Sequence, residues 1–409
     1  MANNSTAPRL TVRAVAGNEE LRLADTLMAS ACVDGLAGVG PRYDARGAEY
    51  PVFHKDHTRI ALWNKELAGA LRLHTQTIRL GEARLRMGGL GLMTTAPSFK
   101  RRGVSAALMR DALDYLVKQR YHVSVIFGLP EFFQRFGFAP VLAGYSILID
   151  ALELSLSARV MLKHRPLKPG DLDAVQKIHS ANGSRLPCSV VRSAVHFANN
   201  WERVKTARVC TNHQGKVVGY YFLRSTGDCL EVEEVGAERA EVIRDILGAC
   251  VELSHAEGSG LVRFQVPPDH PFAHYLAQYE SRHEMHIGAQ EGGMMAFVDL
   301  DEALESMIPE WESQLSQSLL RDVRCELTLV VAGGPYRIRA NRGAIDIARS
   351  AGQNKFTLDK AELIQLVTGA SYVDDVVDRY RRFMAPGIRE FLGVLFPKRN
   401  PYLPILDRF

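Results

Sequence analysis

One segment, residues 90–119, constrains the fold of this chain more than any other. The apolar run Leu90–Met93 is followed by the basic loop 96–106, and an amphipathic stretch continues to Gln119. A strand, a short basic glycine loop and a helix, in that order, make a cradle for a phosphate group. The unpaired N–H groups and the positive dipole end at a helix start attract an anion, and Gly103 permits a close approach of the backbone. The segment therefore predicts an anion site between a strand and a helix.

The spacing within the loop excludes two familiar nucleotide-binding patterns. No Gly-Lys-Ser/Thr follows at the distance of a Walker motif, and the single Gly103 does not make the dinucleotide pattern. Lys100, Arg101 and Arg102 add positive charge. From the loop alone, a solvated basic turn is an equal alternative.

The next two segments help to decide between an anion site and a solvated basic turn. Residues 122–128 form an apolar run typical of a buried strand. Residues 129–138 predict a short helix, ended by Gly137, and then a further strand. The order is therefore strand, basic loop, helix, buried strand and short helix.

The two motifs together resemble the GNAT N-acetyltransferases. The basic loop is similar to the coenzyme A pyrophosphate loop of that family, usually Arg/Gln-x-x-Gly-x-Gly/Ala, with Lys100, Gly103 and Ser105 in its three places. The match is imperfect at the first and third of these. Residues 132–138 are similar to the family's Phe-Tyr-x-x-x-Gly-Phe signature, and both motifs stand in the family's order.

Length and composition indicate a multidomain globular protein. A chain of 409 residues is too long for one ordinary domain, so two or three are expected. No window approaches ~18 consecutive apolar residues, so no membrane partner is expected. Residues 1–8 lack the apolar core of a signal peptide, which predicts the cytoplasm. A net charge of +4 suits an anionic cofactor better than a nucleic-acid groove, so no nucleic acid is expected.

The six cysteines are scattered along the chain, with no C-x-x-C pair. Such spacing suggests neither a zinc site nor a disulfide framework. We therefore expect no metal cofactor, and each cysteine to be a small buried apolar side chain.

The pattern along the chain predicts three domains, at residues 1–155, 156–300 and 301–409. In the first domain a helix is expected at residues 19–31, where apolar side chains recur near a 3.6-residue period. The strands expected before the basic loop are residues 59–63, 66–76 and 83–93.

The second domain echoes the first. Lys216–Leu223 repeats the pattern of Lys65–Leu73, since in both a turn-proximal lysine precedes a strand that contains a glycine. We interpret this as an internal repeat and a second GNAT-like fold. Where the phosphate loop should stand, residues 236–242 are acidic and would repel a pyrophosphate. The second domain is therefore not expected to bind coenzyme A.

The third domain opens with two alternating strands, 325–331 and 336–340. Residues 355–369 then resemble the sterol-carrier-type domains, including their Asp-x-x-x-Leu-x-x-Leu-x-x-Gly phrase. The alternative is a generic α+β domain that buries Leu363 and Leu366 in its core. The expected fold class is α+β (mixed α/β): two tandem GNAT folds followed by a sterol-carrier-like domain, from which we infer no lipid transport.

This order of domains resembles the bacterial Eis (enhanced intracellular survival) acetyltransferases over nearly the whole chain. Residues 395–401 and 407–409 are similar to the family's terminal Phe-Pro … Asp-x-Phe tail. In that family the last carboxylate reaches into the first domain's active site and takes the proton from the substrate amine. The resemblance thus assigns the base to Phe409, with a frayed C-terminus as the alternative. It also implies a homo-oligomer, since hexamers occur in the family.

The resemblance further implies which residues bind acetyl-CoA. Strand backbone pairs with the pantetheine arm, the loop holds the pyrophosphate, and the next strand splays away to admit the thioester. In that order, the matching residues are Met93, Thr94 and Thr95, then Arg101, Arg102, Gly103, Val104, Ser105 and Ala106, and last Gly128 and Leu129.

One position departs from the family pattern. The general-acid tyrosine of the family falls at Phe133, which has no hydroxyl to protonate the coenzyme A thiolate. General acid catalysis contributes roughly 10²–10⁴ in rate. A thiolate is nevertheless a good leaving group, because a free thiol has a pKa of about 8.5. Water or another residue would supply the proton; Tyr145 is a candidate by proximity in sequence, with a packed core tyrosine as the alternative.

The sequence therefore predicts an acetyl-CoA-dependent N-acetyltransferase that acts by direct transfer on a cationic amine: an aminoglycoside, a polyamine or a lysine side chain. Acidic residues near the pocket would attract such a substrate, with Asp34, Glu131 and Asp407 as candidates. Phe133 motivates a second hypothesis, a non-catalytic scaffold that binds or senses acetyl-CoA. Lipid carriage by the third domain is a third hypothesis.

Overall fold

Three β-sheets form the framework of the protein, in a computed structural model that describes residues 9–33, 55–155, 160–192, 196, 204, 206–288, 292–379 and 384–409. The strands are β1 (Leu10–Ala14), β2 (Thr58–Trp63), β3 (Glu66–Leu80), β4 (Ala83–Thr95), β5 (Val123–Phe127), β6 (Ala139–Leu142), β7 (Gly144–Asp150), β8 (Lys163–Pro166), β9 (Ser189–Val190), β10 (Arg208–Thr211), β11 (Val217–Ser225), β12 (Cys229–Ala237), β13 (Leu261–Phe264), β14 (Ser281–His286), β15 (Gly293–Phe297), β16 (Arg324–Val331), β17 (Gly334–Asn341), β18 (Ala344–Ala348) and β19 (Lys355–Thr357).

Helices cover these sheets, which confirms the mixed α+β class. They are α1 (Asn18–Val33), α2 (Val104–Lys118), α3 (Pro130–Phe133), α4 (Ala151–Ser155), α5 (Leu172–Asn182), α6 (Ala240–Ala256), α7 (Pro271–Leu276), α8 (Leu300–Ser306), α9 (Ile308–Gln317), α10 (Lys360–Thr368), α11 (Val373–Arg379) and α12 (Pro386–Leu395). Within the described ranges, none of these helices has the length and apolar character that a membrane crossing requires.

The first sheet has the order β1-β2-β3-β4-β5-β15-β6, with the short β9 added to β3. Strands β4 and β5 run parallel, and helix α2 connects them. The apolar residues that repeat along α2, among them Val104, Leu108 and Leu116, are buried against the sheet. This sheet therefore presents the strand, loop and helix expected from residues 90–119.

The second sheet has the order β14-β7-β13-β12-β11-β10-β8. Its parallel pair, β12 and β13, is connected by α6, as β4 and β5 are connected by α2. A Cβ at Gly69 on β3 would meet Val104 and Leu108 of α2, and a Cβ at Gly219 on β11 would meet Val242 and Ile246 of α6. The same strand glycine thus admits the same turn of helix in both copies, which supports the internal repeat.

The first two sheets exchange strands. Strand β7 follows β6 directly in the chain, yet it lies in the second sheet between β14 and β13. Strand β15 returns from the far end of the second sheet and lies between β5 and β6 of the first. The first two sheets are consequently not separated at a single point of the chain.

The third sheet, of order β18-β17-β16-β19, packs with α9, α10 and α12 into a core that continues onto the first sheet. This core includes Met87 and Val125 of the first sheet together with Trp311. Leu363 and Leu366 of α10 are fully buried in it, as the generic α+β alternative expects. The sterol-carrier-type assignment of this domain stays a prediction.

Candidate active site

The parallel strands β4 and β5 separate at one end. Their pairing ends with Leu90 opposite Ile126, but β4 continues to Thr95 while β5 stops at Phe127. Beyond Leu90, β4 is paired along its other edge with β3, so its edge toward β5 has no strand partner among the described residues. Backbone groups along this open edge are available to an extended ligand.

A β-bulge shapes this end of β4. Ala70 on β3 lies opposite Thr94, whereas Arg72 lies opposite Gly91, so β4 contains one extra residue in between. Leu92 within the bulge adopts a φ of +50°, which is uncommon for a leucine. A bulge of this kind turns backbone groups in a new direction, and here it does so beside the cleft between β4 and β5.

The basic loop ends at the start of α2. Gly103 is the N-cap residue, with a φ of +79°, and it has no side chain to pair with the first-turn N–H groups of Val104, Ser105 and Ala106. The hydroxyls of Ser105 and Thr95 lie 2.9 Å apart and connect the helix start to the end of β4. Unpaired N–H groups, the positive end of the helix dipole and the exposed basic residues of the loop all favour an anion at this helix start.

The last residue of the chain lies on β4. The Phe409 side chain is buried, with its ring stacked on His74 at 5.3 Å between centroids and edge-on to Phe127 at 5.9 Å. A Cβ at Gly89 would lie 2.2 Å from this ring, and a Cβ at Gly91 would lie 3.1 Å from the carboxyl carbon of Phe409. The two glycines admit the tail, and its end reaches the point where β4 leaves β5. The sheet surface formed by His74, Gly89, Gly91 and Phe127 is called the tail face below.

A buried ion-pair cluster anchors the tail. Arg192 donates two hydrogen bonds to Asp407, both of 2.8 Å, and two to Glu234, of 2.7 and 2.6 Å. His196 Nε2 lies 3.0 Å from Oδ1 of Asp407, the oxygen that also accepts from Arg192 Nε. Burial alone would raise the pKa of Asp407, but Arg192 and His196 outweigh it and hold that pKa at about 2. Asp407 is therefore ionised and engaged in anchoring, which differs from its expected role in attracting the substrate.

Phe133 lies under the end of β5. A Cβ at Gly128 would lie 2.9 Å from the Phe133 ring, and Phe133 also packs against Phe138 with ring centroids 6.4 Å apart. Gly128 itself has a φ of +142°, and the adjacent Leu129 is exposed. The position of the family's general acid is thus at the cleft, filled by a buried apolar ring.

Other sequence candidates lie elsewhere. Tyr145 belongs to β7 of the second sheet and packs its ring edge-on against Tyr402. Burial raises the pKa of Tyr145 to about 12, so the packed-core alternative describes it. Glu131 is exposed at the start of α3. Asp34 lies outside the described residues.

The structure therefore brings together, around one cleft, the residues expected to bind acetyl-CoA and the tail residue Phe409. Sequence reasoning missed His74, Arg192 and the glycines of β4. The signal for the glycines was present, since Gly88-Gly89-Leu90-Gly91 within a strand indicates close approach by another part of the chain. Arg192 gave no local signal, because its partner Asp407 is 215 residues away. Among the described residues, no group of His, Cys, Asp and Glu side chains is placed to hold a metal.

Comparison with known proteins agrees with this geometry. Residues 37–141, about a quarter of the chain, match the family described as acetyltransferase (GNAT) domain. No curated protein matches the sequence.

Solved structures share the fold over nearly the whole chain. A probable N-acyltransferase from Enterococcus faecalis has a TM-score of 0.77 at 15% identity, covering 98% of this chain and 100% of that one. A GCN5-related N-acetyltransferase from Kribbella flavida has a TM-score of 0.75 at 17% identity, covering 100% of both chains. Eis1 from Mycobacterium abscessus has a TM-score of 0.63 at 16% identity, covering 98% of this chain and 100% of its own.

The matched domain and the shared fold support a GNAT-family N-acetyltransferase, and the GNAT fold implies use of acetyl-CoA. At these identities the solved structures show the fold alone. The Eis-type assignment therefore stays a prediction.

Proposed function

We propose that this enzyme transfers the acetyl group of acetyl-CoA directly to a cationic amine, with the carboxylate of Phe409 as the general base. The observation that carries the proposal is the contact of the tail with β4. The carboxyl carbon of Phe409 lies 3.1 Å from the Cβ position of Gly91, where β4 separates from β5. A carboxylate at that point is beside the open strand edge along which a thioester would lie.

Different residues would bind different parts of acetyl-CoA. Free N–H groups at Val104, Ser105 and Ala106, with Arg101 beside them, would hold the pyrophosphate of acetyl-CoA. The open edge of β4 from Met93 to Thr95 would pair with the pantetheine arm. Acetyl-CoA supplies the activated acetyl thioester.

The proposed base must remove a proton from the substrate amine. An alkylammonium with a pKa near ~10.4 has no lone pair, so the amine must lose a proton before it can attack. The Phe409 carboxylate would take that proton, directly or through one water, while N–H groups of β4 stabilise charge on the carbonyl oxygen. The acceptor class stays the one expected from the sequence: an aminoglycoside, a polyamine or a lysine side chain. The proposal includes the homo-oligomer implied by the resemblance.

Coenzyme A release tests the proposal. Protein with an untagged C-terminus is mixed with acetyl-CoA and a panel of aminoglycosides, polyamines and lysine peptides, and free thiol is measured. Release that depends on an amine is the expected result, and the preferred amine identifies the substrate class. Protein that binds acetyl-CoA but releases no thiol with any amine would contradict the proposal.

The buried ring of Phe133 favours a second candidate, a scaffold that binds or senses acetyl-CoA without turnover. A Phe133→Tyr variant separates the two, because it places a hydroxyl at the position of the missing general acid. A large gain in kcat indicates an enzyme slowed by Phe133. Turnover by neither form indicates the scaffold.

A further inference from the structure

One polar atom on the tail face has no assigned role, namely Nε2 of His74. This atom is buried and has no hydrogen-bond partner in the part of the chain that the structure describes. A buried ring nitrogen without a partner is costly, so it indicates a group that has yet to be paired with it. His74 lies on β3 directly opposite Gly89 of β4, beside the tail.

The carboxyl group of Phe409 lies close to this nitrogen. A Cβ at Gly91 would lie 3.0 Å from Nε2 of His74 and 3.1 Å from the carboxyl carbon of Phe409, so the two groups border the same small space. Their rings are stacked with an interplanar angle of 16°, which fixes the imidazole plane relative to the last residue.

The electrostatic setting suits a neutral donor. Burial, together with the nearby charges of Arg72 and His57, lowers the pKa of His74 to about 3. The imidazole is then neutral near pH 7, with one N–H and one lone pair. A proton on Nε2 would give an N–H donor aimed at the carboxylate, and hydrogen bonds to an ionised acceptor are the stronger kind.

We infer that His74 is a positioning residue for the base: its Nε2–H donates a hydrogen bond to the Phe409 carboxylate and orients that carboxylate toward the substrate amine. The kinetic consequence rests on the proposed function, whereas the hydrogen bond does not. His74 itself exchanges no proton in the reaction. One ammonium proton passes to the carboxylate and from there to solvent, the new N–C bond forms and the C–S bond breaks. The nitrogen releases its second proton to water, and water protonates the departing thiolate.

Three variants test the kinetic role. His74→Phe keeps a ring stacked on Phe409 but removes the donor, and His74→Gln places an amide N–H close to the position of Nε2. We expect kcat of His74→Phe to fall about tenfold to a hundredfold, below the roughly 10²–10⁴ for loss of the base itself. KM for acetyl-CoA should not change, and His74→Gln should recover most of the activity. The matched control is Thr75→Ala, exposed on the same strand, with wild-type rates expected.

The titration of the carboxylate gives a readout that needs no turnover. The protein is labelled with ¹³C at phenylalanine carbonyl groups, and the Phe409 signal is assigned by its absence from a chain that ends at Arg408. Loss of a donor to the charged form should raise the carboxyl pKa in His74→Phe, and His74→Gln should restore it. An unchanged titration in His74→Phe would overturn the inference. A raised pKa in a protein that acetylates no amine would retain the hydrogen bond and overturn the proposed function instead.

Discussion

At the scale of single residues, the glycines of β4 determine whether the tail can reach the cleft. Gly89 leaves space for the Phe409 ring, and Gly91 leaves space for its carboxyl group and for His74. A side chain at either position would compete with the last residue of the chain. Glycine weakens the interior of a strand, so the presence of these glycines in β4 is explained by the tail that crosses the strand.

Gly89→Ala should displace Phe409. The new Cβ would lie 2.2 Å from the ring, a distance that forces the tail to move. A misplacement of about 1 Å at a reacting group costs on the order of 10² in rate, so we expect kcat to fall by about that factor. The dissociation constant of acetyl-CoA, measured by calorimetry, should not change. Gly17→Ala is the control, because no atom lies within 4 Å of its Cβ position; a fully active Gly89→Ala enzyme would refute the role of the tail.

Residue-level predictions from the sequence come from local motifs, and the binding and catalytic roles that they assign stay predictions. The loop residues Arg101 to Ala106, Gly128 and Phe133 all border the expected cleft, because strand, loop and helix are consecutive in the chain. The sequence did not predict roles for His74 and Arg192, because the partner of each lies near the C-terminus of the chain. No short-range pattern marks a buried ion pair whose members are 215 residues apart.

At the scale of elements, the C-terminal segment forms hydrogen bonds with three distant parts of the chain. Arg399 N–H donates to Gly369 in the third domain, Ala143 N–H donates to Pro401, and the Tyr402 hydroxyl donates to the carbonyl of Gln265. Tyr402 also lines a small cleft beside the ends of β12 and β13, the counterpart of the cleft between β4 and β5. The tail therefore passes through the second fold on its way to the first, and the frayed-terminus alternative is wrong for these residues.

Removal of Asp407–Phe409 should sharply reduce amine acetylation and leave acetyl-CoA binding intact. The last three residues carry the proposed base, whereas the cradle at Gly103 and the open edge of β4 belong to another part of the chain. We expect kcat to fall by roughly 10²–10⁴. One glycine added after Phe409 is the finer test, because it keeps every side chain and moves only the carboxylate. Full activity in both proteins would eliminate the C-terminal base.

Asp407→Asn should destabilise the tail in a pH-dependent manner. The pKa of Asp407 is about 2 in the folded protein, below its ordinary value of 3.8, so its stabilising contribution is complete above about pH 4 and is lost as the pH falls toward 2. We expect a loss of about 1–3 kcal/mol at neutral pH that shrinks below pH 4. Thermal unfolding of wild type and variant across this range measures it. The control is Asp374→Asn, in an exposed pair with Arg389, which should lower the free energy of unfolding by less than about 1 kcal/mol. The ion-pair explanation would be contradicted if the difference in stability between wild type and Asp407→Asn stayed constant down to pH 2.

Most element boundaries were predictable, whereas sheet membership was not. The helix expected at residues 19–31 is α1 at Asn18–Val33, and the strand expected at 325–331 is β16 at Arg324–Val331. Periodicity reports which side of an element is buried, and such signals are local. The sheet in which β7 or β15 lies depends on contacts far along the chain, so the exchange between the first two sheets has no signature in the sequence.

At the scale of the whole molecule, the strand exchange makes the first two sheets interdependent. The first sheet needs β15 from beyond residue 290, and β7 completes the second sheet from before residue 151. The first sheet also shares its core with the third sheet through Met87 and Val125. The cleft between β4 and β5 therefore depends on segments from distant parts of the chain.

The fragment 1–155 should consequently fail to fold alone. Without β15, strands β5 and β6 lose their common neighbour and expose two unpaired edges, which favours aggregation. Its buried core residues, such as Met87, would also be exposed to water, and their burial is the main stabilising contribution. Co-expression with residues 156–409 should restore a folded complex, measured by size-exclusion chromatography and acetyl-CoA binding, because the second fragment supplies β15 and receives β7. A monomeric fragment 1–155 with dispersed amide signals in NMR would show that the exchange is dispensable.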